Sequence, residues 1–284
     1  MAKYESYLAQ AALSDVAHLV PSGSPFAIEV RFLGGLTVKQ KDAFTKAADR
    51  WTRIIVGDLP NVQIDGEMID DLLILAQGVE IDGPGTILGQ AGPTRLRPAT
   101  AGAAAFLPAR GTMSFDTADL AQMEKDGSLV DVITHEMGHV LGIGTVWTRK
   151  NLLKDVGSSN PRFTGKRAVE EFGKLRGSKA TAVPVENTGG PGTRDSHWRD
   201  SVFKNELMTG FVAGAGNPIS AMTVGSLQDL GYVVDFSKAE PYTLPNLAKL
   251  AEKGLLVAAE SPVEAGLMMR NIPIVLPDEA LTSA

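Results

Sequence analysis

The chain has 284 residues, of which 44% are hydrophobic and 21% charged, a composition typical of a globular protein with one large or two smaller domains. Its net charge of -6, without any run of lysine or arginine, argues against nucleic acid as a partner. No cysteine is present, which excludes disulfides, cysteine-ligated zinc and thiol chemistry.

The N-terminal part of the chain predicts a helix, a strand and a second helix. Residues 1–24 have the pattern of a short, mildly amphipathic helix that ends at a break rich in proline, glycine and serine. From residue 26 to 33, large apolar residues alternate with Ala, Glu and Arg, which is the period of a half-buried strand. Thr37 and Gln40 have the spacing of a capping box, and apolar residues then recur at helical spacing through residues 39–56.

The middle of the chain predicts two strands separated by a long irregular stretch. Residues 70–78 form a continuous apolar run bounded by acidic residues and glycine, as in a buried strand. Residues 82–111 are rich in Gly, Pro and Ala, and they predict loops with one or two short edge strands. Residues 111–116 predict another strand, and Ser128 with Asp131 predicts the cap that opens the next helix.

The second half of the chain predicts helices separated by polar loops. Residues 151–196 are polar and glycine-rich, with one helix at 165–177, and a loop region of this length is usually functional or disordered. Residues 220–232 and 246–260 predict two further helices, whereas residues 271–284 predict an irregular tail. The order of one strand, one helix, several strands and then helices indicates the α+β class.

The stretch HEMGHVLGIGT, residues 135–145, carries two histidines four residues apart on a predicted helix. Because residues i and i+4 lie on one helix face, His135 and His139 can direct two ring nitrogens at one zinc ion. Glu136 is rotated by about 100° from the first histidine, so its carboxylate can hold a water molecule beside the metal. Gly142 follows where the chain must turn out of the helix. Such a pair also occurs as plain packed or surface residues, but the capped, apolar-backed helix favours a catalytic site.

A catalytic zinc site needs a third protein ligand, and this chain offers two kinds of candidate. Many zinc peptidases of this kind place a third histidine six residues after the second, where this chain has Thr145. His197 lies 58 residues after the second histidine, whereas Glu170 and Glu171 lie on the predicted helix about thirty residues downstream. The glutamates have the pattern of a solvated helix face, and imidazole suits zinc, so we favour His197. His18 lies beside apolar residues of the N-terminal helix pattern and is interpreted as structural.

HEMGHVLGIGTVW resembles the active-site helix of the leishmanolysin family of metzincin zinc peptidases, and SHWRDSVFKNELMTG resembles the later region that carries the family's third histidine. Further similarity lies in DDLLILAQG, DGPGTILGQAGPTRLRP, GTMSFD, VPVENTGGPGT and SLQDLGYVVD. The resemblance covers roughly residues 26–243, and the combination of motifs is highly specific.

The resemblance implies a role for each part of the site. It implies one catalytic zinc ion with His135, His139 and His197 as ligands and Glu136 as the general base. It also makes Met208 the methionine of the Met-turn, an apolar base beneath the metal. Parasite leishmanolysins are disulfide-rich, so this cysteine-free chain departs from them and excludes latency through a cysteine switch.

The resemblance also implies a fold, namely an α+β, metzincin-type zincin with a mixed, mostly parallel sheet, an active-site helix and a looser C-terminal subdomain. Residues 25–144 would form the N-terminal subdomain and residues 145–244 the C-terminal subdomain with the third ligand and the Met-turn. Residues 1–24 and 245–284 would be extensions. In metzincins an edge strand of the sheet binds the substrate peptide in extended form.

The predicted function is hydrolysis of peptide bonds by a zinc-activated water, with protein or peptide substrates. One alternative is a zinc-stabilised binding module without turnover, although a purely structural site has no need of Glu136. Another is self-processing, with the two extensions as substrates. Asp and Gly at residues 81–85 are compatible with calcium but do not support it, because such clusters are common in plain turns. The sequence carries no signal for oligomeric state.

The N-terminal residues lack the basic region and sustained apolar region of a Sec signal, and no apolar run approaches the roughly 18 residues of a membrane span. An uninhibited broad protease is hazardous in a cytosol. For a bacterial member we therefore expect export without a classical N-terminal signal, or with a leader absent from this chain, in preference to a cytoplasmic location.

Overall fold

The computed structural model describes residues 4–11, 24–81, 83, 85, 89–190, 192–210, 214–246 and 272–282. In these residues the helices are α1 (Val38–Thr52), α2 (Thr117–Asp126), α3 (Leu129–Val140), α4 (Lys166–Leu175), α5 (Asp200–Phe203) and α6 (Ala221–Leu230). The strands are β1 (Glu5–Gln10), β2 (Ala27–Gly34), β3 (Val62–Ile64), β4 (Glu67–Ile69), β5 (Leu72–Val79), β6 (Gly89–Leu96), β7 (Pro108–Asp116), β8 (Leu153–Lys154), β9 (Arg162–Phe163), β10 (Val183–Pro184) and β11 (Ile274–Val275). None of the described helices has the length and apolar character needed to cross a lipid bilayer.

A six-stranded sheet in the order β1-β2-β5-β7-β6-β11 forms the centre of the fold. The pairs β2–β5, β5–β7 and β6–β11 are parallel, whereas β1–β2 and β6–β7 are antiparallel. The sheet is therefore mixed and mostly parallel, and together with several helices it is compatible with the α+β fold that the resemblance implies. Two smaller antiparallel sheets are formed by β3 with β4 and by β8, β9 and β10.

Helices α1 and α3 pack together on one face of the sheet. The predicted capping box at the start of α1 is confirmed: Thr37 accepts a hydrogen bond from the Gln40 amide, and the Gln40 side chain accepts one from the Thr37 amide. Phe44 of α1 packs edge-on against Phe32 of β2, with ring centroids 6.0 Å apart. Helix α3 lies between α1 and the strands β6 and β7. Because it is covered on most sides, nearly all of its residues are buried.

A smaller core covers the opposite face of the sheet. It contains buried apolar side chains from the β3–β4 hairpin, from the sheet and from the C-terminal residues: Val62, Ile64, Ile69, Leu73, Ala109, Leu276 and Ala280. Strand β5 therefore buries side chains on both of its faces. This explains why its sequence is a continuous apolar run instead of an alternation of apolar and polar residues.

The helix predicted for the N-terminal residues is wrong where the structure can be compared with it. Glu5–Gln10 form strand β1, which pairs antiparallel with β2. Its stabilising contacts are distant in sequence, because the Tyr7 hydroxyl donates to Asp49 Oδ1 of α1 at 2.7 Å and Ala9 is buried in the main core. Such tertiary contacts override a weak helical pattern. Residues 12–23 lie outside the described residues.

The stretch 82–111, predicted as loops with short edge strands, contains the eight-residue strand β6. The glycine and proline content of this stretch led to the loop prediction. Gly89, however, is required for the strand, because only a residue without a side chain lets β6 approach β7 closely enough to pair. A Cβ at Gly89 would lie 2.2 Å from the Ser114 carbonyl oxygen. The pairing changes register around Pro93, which has no amide hydrogen to donate. The next strand begins at Pro108, earlier than predicted.

Helix α3 begins where it was predicted to begin, with Ser128 at the N-cap position, but the predicted capping hydrogen bond is absent. Ser128 makes no capping hydrogen bond, and its hydroxyl instead donates to Asp126 Oδ1 at 2.6 Å. Asp131 accepts hydrogen bonds from Arg50 of α1 at 3.0 Å and from the Asn217 amide at 2.9 Å. Asp131 therefore ties the first turn of α3 to α1 and to the loop before α6, a role that the local sequence did not show.

The helices predicted for residues 165–177 and 220–232 are confirmed as α4 and α6. Gly231 ends α6 with a φ of 118°, a conformation that favours glycine. The helix predicted for residues 246–260 lies outside the described residues apart from its first position. In the predicted irregular tail, the described residues contain the two-residue strand β11 and one 3-10 turn.

Candidate metal centre

Three buried histidines converge in the structure. His135 and His139 lie one turn apart on α3, and His197 lies in the loop between β10 and α5. The Nε2 atom of His135 is 3.1 Å from that of His197 and 3.1 Å from that of His139. The Nε2 atoms of His139 and His197 are 2.9 Å apart. The long excursion after α3 thus brings a third imidazole to the helical pair.

The Nδ1 atom of each histidine faces a backbone carbonyl oxygen. The distances are 2.7 Å from His135 to Leu207, 2.9 Å from His139 to Ile143 and 2.8 Å from His197 to Thr193. A carbonyl oxygen only accepts hydrogen bonds, so each Nδ1 carries the imidazole proton and donates it. Each Nε2 therefore presents a lone pair, and the three lone pairs point toward one another.

Three acceptor nitrogens this close repel one another unless a cation lies between them. A tetrahedral zinc ion with Zn–N bonds of about 2.0–2.1 Å separates two ligand nitrogens by roughly 3.3 Å, close to the distances observed here. Metal-bound histidines commonly donate their other N–H group to a backbone carbonyl, as all three do in this chain. The donor set therefore fits zinc.

The Glu136 carboxylate lies beside the three imidazoles. Its Oε1 atom is 3.9 Å from Nε2 of His135, and the residue is 6% exposed. Glu136 follows His135 on α3, and the helical rotation places its side chain next to the converging nitrogens instead of among them. A carboxylate in this position can hold a water molecule and exchange a proton with it.

Met208 packs against α3 between the two helical histidines. It is fully buried, and a Cβ at Gly138 would lie 2.7 Å from its Sδ atom. The same Cβ would lie 3.1 Å from the Trp51 ring, whose Nε1 donates to the Thr134 carbonyl at 2.9 Å. The glycine inside the HEMGH motif is therefore required by the close approach of the methionine and the tryptophan.

The chain leaves α3 through a turn that contacts the loop of the third histidine. Gly142 has a φ of 107° and Gly144 a φ of 73°, both in the region that favours glycine. A Cβ at Gly144 would lie 2.0 Å from the carbonyl oxygen of Ser196. Thr145, which stands where related motifs have their third histidine, donates its hydroxyl to the His139 carbonyl at 2.8 Å.

Gly144→Ala is expected to destabilise the fold by about 2–4 kcal/mol and to weaken zinc binding at least about tenfold. The added Cβ meets the backbone of Ser196, the residue before His197, so the third imidazole must move. The measurements are the free energy of unfolding and zinc affinity by competition with a chelator. Gly127→Ala is the matched control, because Gly127 has a φ of 84° but nothing within 4 Å of a Cβ. It should cost about 1 kcal/mol and leave zinc affinity unchanged; equal zinc affinity in both variants would contradict the prediction.

The loop that carries His197 is held by the buried carboxylate of Glu186. Its Oε1 atom accepts hydrogen bonds from the amides of Asn187 and Thr188, both at 2.9 Å, and its Oε2 atom accepts one from the Asp200 amide at 2.8 Å. The Glu186 amide in turn donates to the His197 carbonyl at 2.9 Å. These contacts close the loop on both sides of His197.

Glu170 and Glu171, considered above as alternative third ligands, lie on α4 and form ion pairs there. Arg167 donates to Glu170 at 3.1 Å, and Lys174 donates to Glu171 at 2.6 Å. Among the residues that the structure describes, neither glutamate belongs to a converging group of metal-ligating side chains. His18 lies outside the described residues.

A second converging group in the described residues consists of Asp58, Asp70 and Asp71. The Asp71 carboxylate accepts hydrogen bonds from the Ala27 and Leu59 amides, both at 2.7 Å, and so joins two loops beside the sheet. Burial raises the pKa of Asp71 to about 7. In the turn considered for calcium, residues 82 and 84 lie outside the described residues. We assign no calcium ion to either place.

The groups that orient the histidines were not identified from the sequence. Backbone carbonyls carry no sequence signal, because every residue has one. Glu186 and the buried Glu206, in VPVENTGGPGT and NELMTG, were part of recognised motifs but received no role. The available signal was a lone glutamate with an apolar run on one side, after Val185 or before Leu207. A glutamate that such a run buries is usually fully hydrogen-bonded.

The chain is similar to known leishmanolysins. The family model for leishmanolysin, Peptidase_M8, matches residues 103–251, just over half of the chain, and this match contains the three histidines, Glu136 and Met208. Leishmanolysin of Leishmania donovani is 32% identical over 142 residues, which is 47% of this chain and 24% of that protein. A leishmanolysin homolog of Crithidia fasciculata is 29% identical over 146 residues, which is 47% of this chain and 21% of that protein. The similar part thus spans about a quarter or less of the length of either relative.

Proposed function

Since the chain belongs to the leishmanolysin family of peptidases, we propose that it is a zinc-dependent endopeptidase that acts on proteins or peptides. In this proposal His135, His139 and His197 hold one zinc ion, and Glu136 is the general base. The observation that carries the proposal is the convergence of three Nε2 lone pairs beside the Glu136 carboxylate. A site that only stabilises the fold has no need of such a carboxylate.

When bound, zinc polarises the scissile carbonyl group and lowers the pKa of the attacking water toward about 7. Glu136 takes a proton from the water as the water attacks the carbonyl carbon, and it then delivers a proton to the nitrogen of the leaving amine. His135 and His139 stay in the tautomer that leaves Nε2 unprotonated, because their Nδ1 protons are donated to the Leu207 and Ile143 carbonyls.

The metzincin type of fold is part of this proposal. Met208 supplies the apolar base of the site, and its tight packing against Gly138 supports this role. Residues 25–144 contribute the four central strands of the sheet (β2, β5, β7 and β6) and the helix with the first two ligands, whereas residues 145–244 contribute His197 and Met208. The cleft between these two parts would receive the substrate. Gly142 is the turn that ends the active-site helix and leads into the second part.

We place the substrate peptide along β6 in extended form. This strand packs beside α3, which carries the first two histidines. Among the described residues, strand β11 pairs with β6 at Arg95 and Leu96, at one end of the strand. Pairing through backbone groups is independent of side-chain identity, which suits a broad range of protein substrates.

The test combines metal analysis with a digest. We expect one zinc ion per purified chain, cleavage of casein, loss of cleavage when 1,10-phenanthroline removes the metal, and recovery when zinc is returned. Bound zinc without cleavage of casein or a peptide library at any pH would favour a zinc-stabilised binding module instead. Cleavage confined to the protein's own chain, seen by mass spectrometry after zinc addition, would favour self-processing.

A further inference from the structure

Glu206 is a carboxylate buried behind the metal centre, with 1% of the residue exposed. Its Oε2 atom accepts a hydrogen bond from the Met208 amide at 2.7 Å. Its Oε1 atom accepts hydrogen bonds from the Ser220 amide at 3.1 Å, the Ser220 hydroxyl at 2.7 Å and the Thr223 hydroxyl at 2.5 Å. Burial raises the pKa of Glu206, and these hydrogen bonds act in the opposite direction. A fully buried acid with four donors is a costly feature that needs a reason.

The peptide group between Leu207 and Met208 joins Glu206 to the metal centre. Its N–H group donates to Glu206, and its carbonyl oxygen, at the other end of the same planar unit, accepts the Nδ1 proton of His135 at 2.7 Å. Resonance couples the two ends of a peptide group, so a carboxylate at the N–H end makes the carbonyl oxygen a stronger acceptor. The contacts therefore run in series from carboxylate to peptide to imidazole.

Glu206 also fixes the turn against the loop of the third histidine. The Met208 carbonyl accepts a hydrogen bond from the Trp198 amide at 2.9 Å, and Trp198 directly follows His197. The Trp198 indole donates to the Thr223 hydroxyl at 2.8 Å, and that hydroxyl donates to Glu206. The Glu206 carboxylate thus holds a turn that contacts both His135 on α3 and the loop that carries His197.

We propose that Glu206 is a positioning residue for metal binding, which acts by holding the Leu207–Met208 peptide so that it orients and polarises His135. The inference rests on the proposed function, because the metal concerned is the ion held by the three histidines. In many metal sites a carboxylate contacts the ligand histidine directly and raises its basicity. Here a peptide group stands between the carboxylate and the imidazole and transmits the same effect.

Glu206→Gln tests this role, because it keeps the size of the side chain but replaces one acceptor oxygen by a donor NH₂ group. The amides of Met208 and Ser220 then compete for a single acceptor, and the negative charge is lost. We expect zinc affinity to fall about tenfold, the lower end of the effect of removing a carboxylate that supports a ligand histidine. The measurement is competition for zinc with a chromophoric chelator.

Asp71→Asn is the matched control. Asp71 is equally buried and accepts two backbone hydrogen bonds, but its partners are the loops beside the sheet and not the metal centre. We expect this variant to lower the melting temperature while zinc affinity stays within about twofold of the wild type. If Glu206→Gln also lowers only the melting temperature and leaves zinc affinity unchanged, Glu206 is merely structural and the proposal is wrong.

The imidazole Nδ1–H resonances in NMR spectra give a second readout that does not depend on zinc. In Glu206→Gln the His135 proton should move upfield, whereas the His139 proton, which is donated to Ile143, should not move. An unchanged His135 resonance would overturn the proposal. If the variant does not fold, the spectrum of the wild-type protein tests the proposal. The Nδ1 proton of His135 should then resonate downfield of the Nδ1 proton of His139. The reverse order would contradict the role of Glu206.

These measurements separate the two proposals. Wild-type protein that binds no zinc would refute the proposed function, and the His135 resonance would then test the positioning role by itself. Wild-type protein that binds zinc and cleaves peptides, together with a Glu206→Gln variant of unchanged zinc affinity and an unchanged His135 resonance, would refute only the role of Glu206.

Discussion

Replacement of Glu136 by alanine is expected to lower kcat/KM for peptide cleavage by at least about a thousandfold while one zinc ion per chain stays bound. The loss follows from removal of the group that accepts a proton from water and returns it to the leaving amine. Zinc should be retained, because the Glu136 carboxylate lies beside the three Nε2 atoms and the imidazole donors are unchanged. The measurements are cleavage of a fluorogenic peptide and zinc content by atomic absorption.

Glu136→Gln is the control that separates proton transfer from packing. The amide has the size and shape of the carboxylate and keeps its contacts with α3, but it cannot accept a proton. Equal losses in the alanine and glutamine variants would identify proton transfer as the function of this residue. Cleavage of casein by Glu136→Ala at the wild-type rate would show that the general base is another group.

The first part of the site could be predicted from sequence because it is local. The geometry of one helical turn relates His135 to His139 and places Glu136 beside them, so their spacing was sufficient. The approach of His197 depends on contacts across 58 residues, among them Gly144 against Ser196. Such contacts produce no periodic pattern in the sequence. Spacing alone therefore left two glutamates as alternative candidates for the third zinc ligand.

The fold shows the same division between local and distant causes. Helix α1 was predictable because its capping box lies within four residues, and β2 because its apolar alternation needs only one strand. Strand β1 exists because it pairs with β2 and reaches Asp49 of α1, and β6 exists because Gly89 allows close pairing with β7. Both depend on partners that are distant in the chain, so their own composition predicted other structures.

His197→Ala is expected to lower zinc affinity by roughly two orders of magnitude and to remove cleavage at micromolar zinc. A structural site with four ligands binds zinc with a free energy of about 10–16 kcal/mol, so the loss of one ligand is expected to cost about 3 kcal/mol of binding free energy. His197 contributes one of three converging Nε2 atoms, and alanine leaves the other two with an incomplete coordination sphere. The measurement is zinc per chain after dialysis against a weak chelator, with the affinity taken from competition titrations.

Glu170→Ala and Glu171→Ala are the matched controls, because these two glutamates are the rival third ligands. In the structure they pair with Arg167 and Lys174 on the surface of α4, and surface pairs of this kind contribute about 0–1 kcal/mol. Both variants should therefore keep one zinc ion per chain and the wild-type rate of cleavage. Loss of zinc from either glutamate variant, with zinc retained in His197→Ala, would move the third ligand to α4 and require that helix to approach α3 when the metal binds.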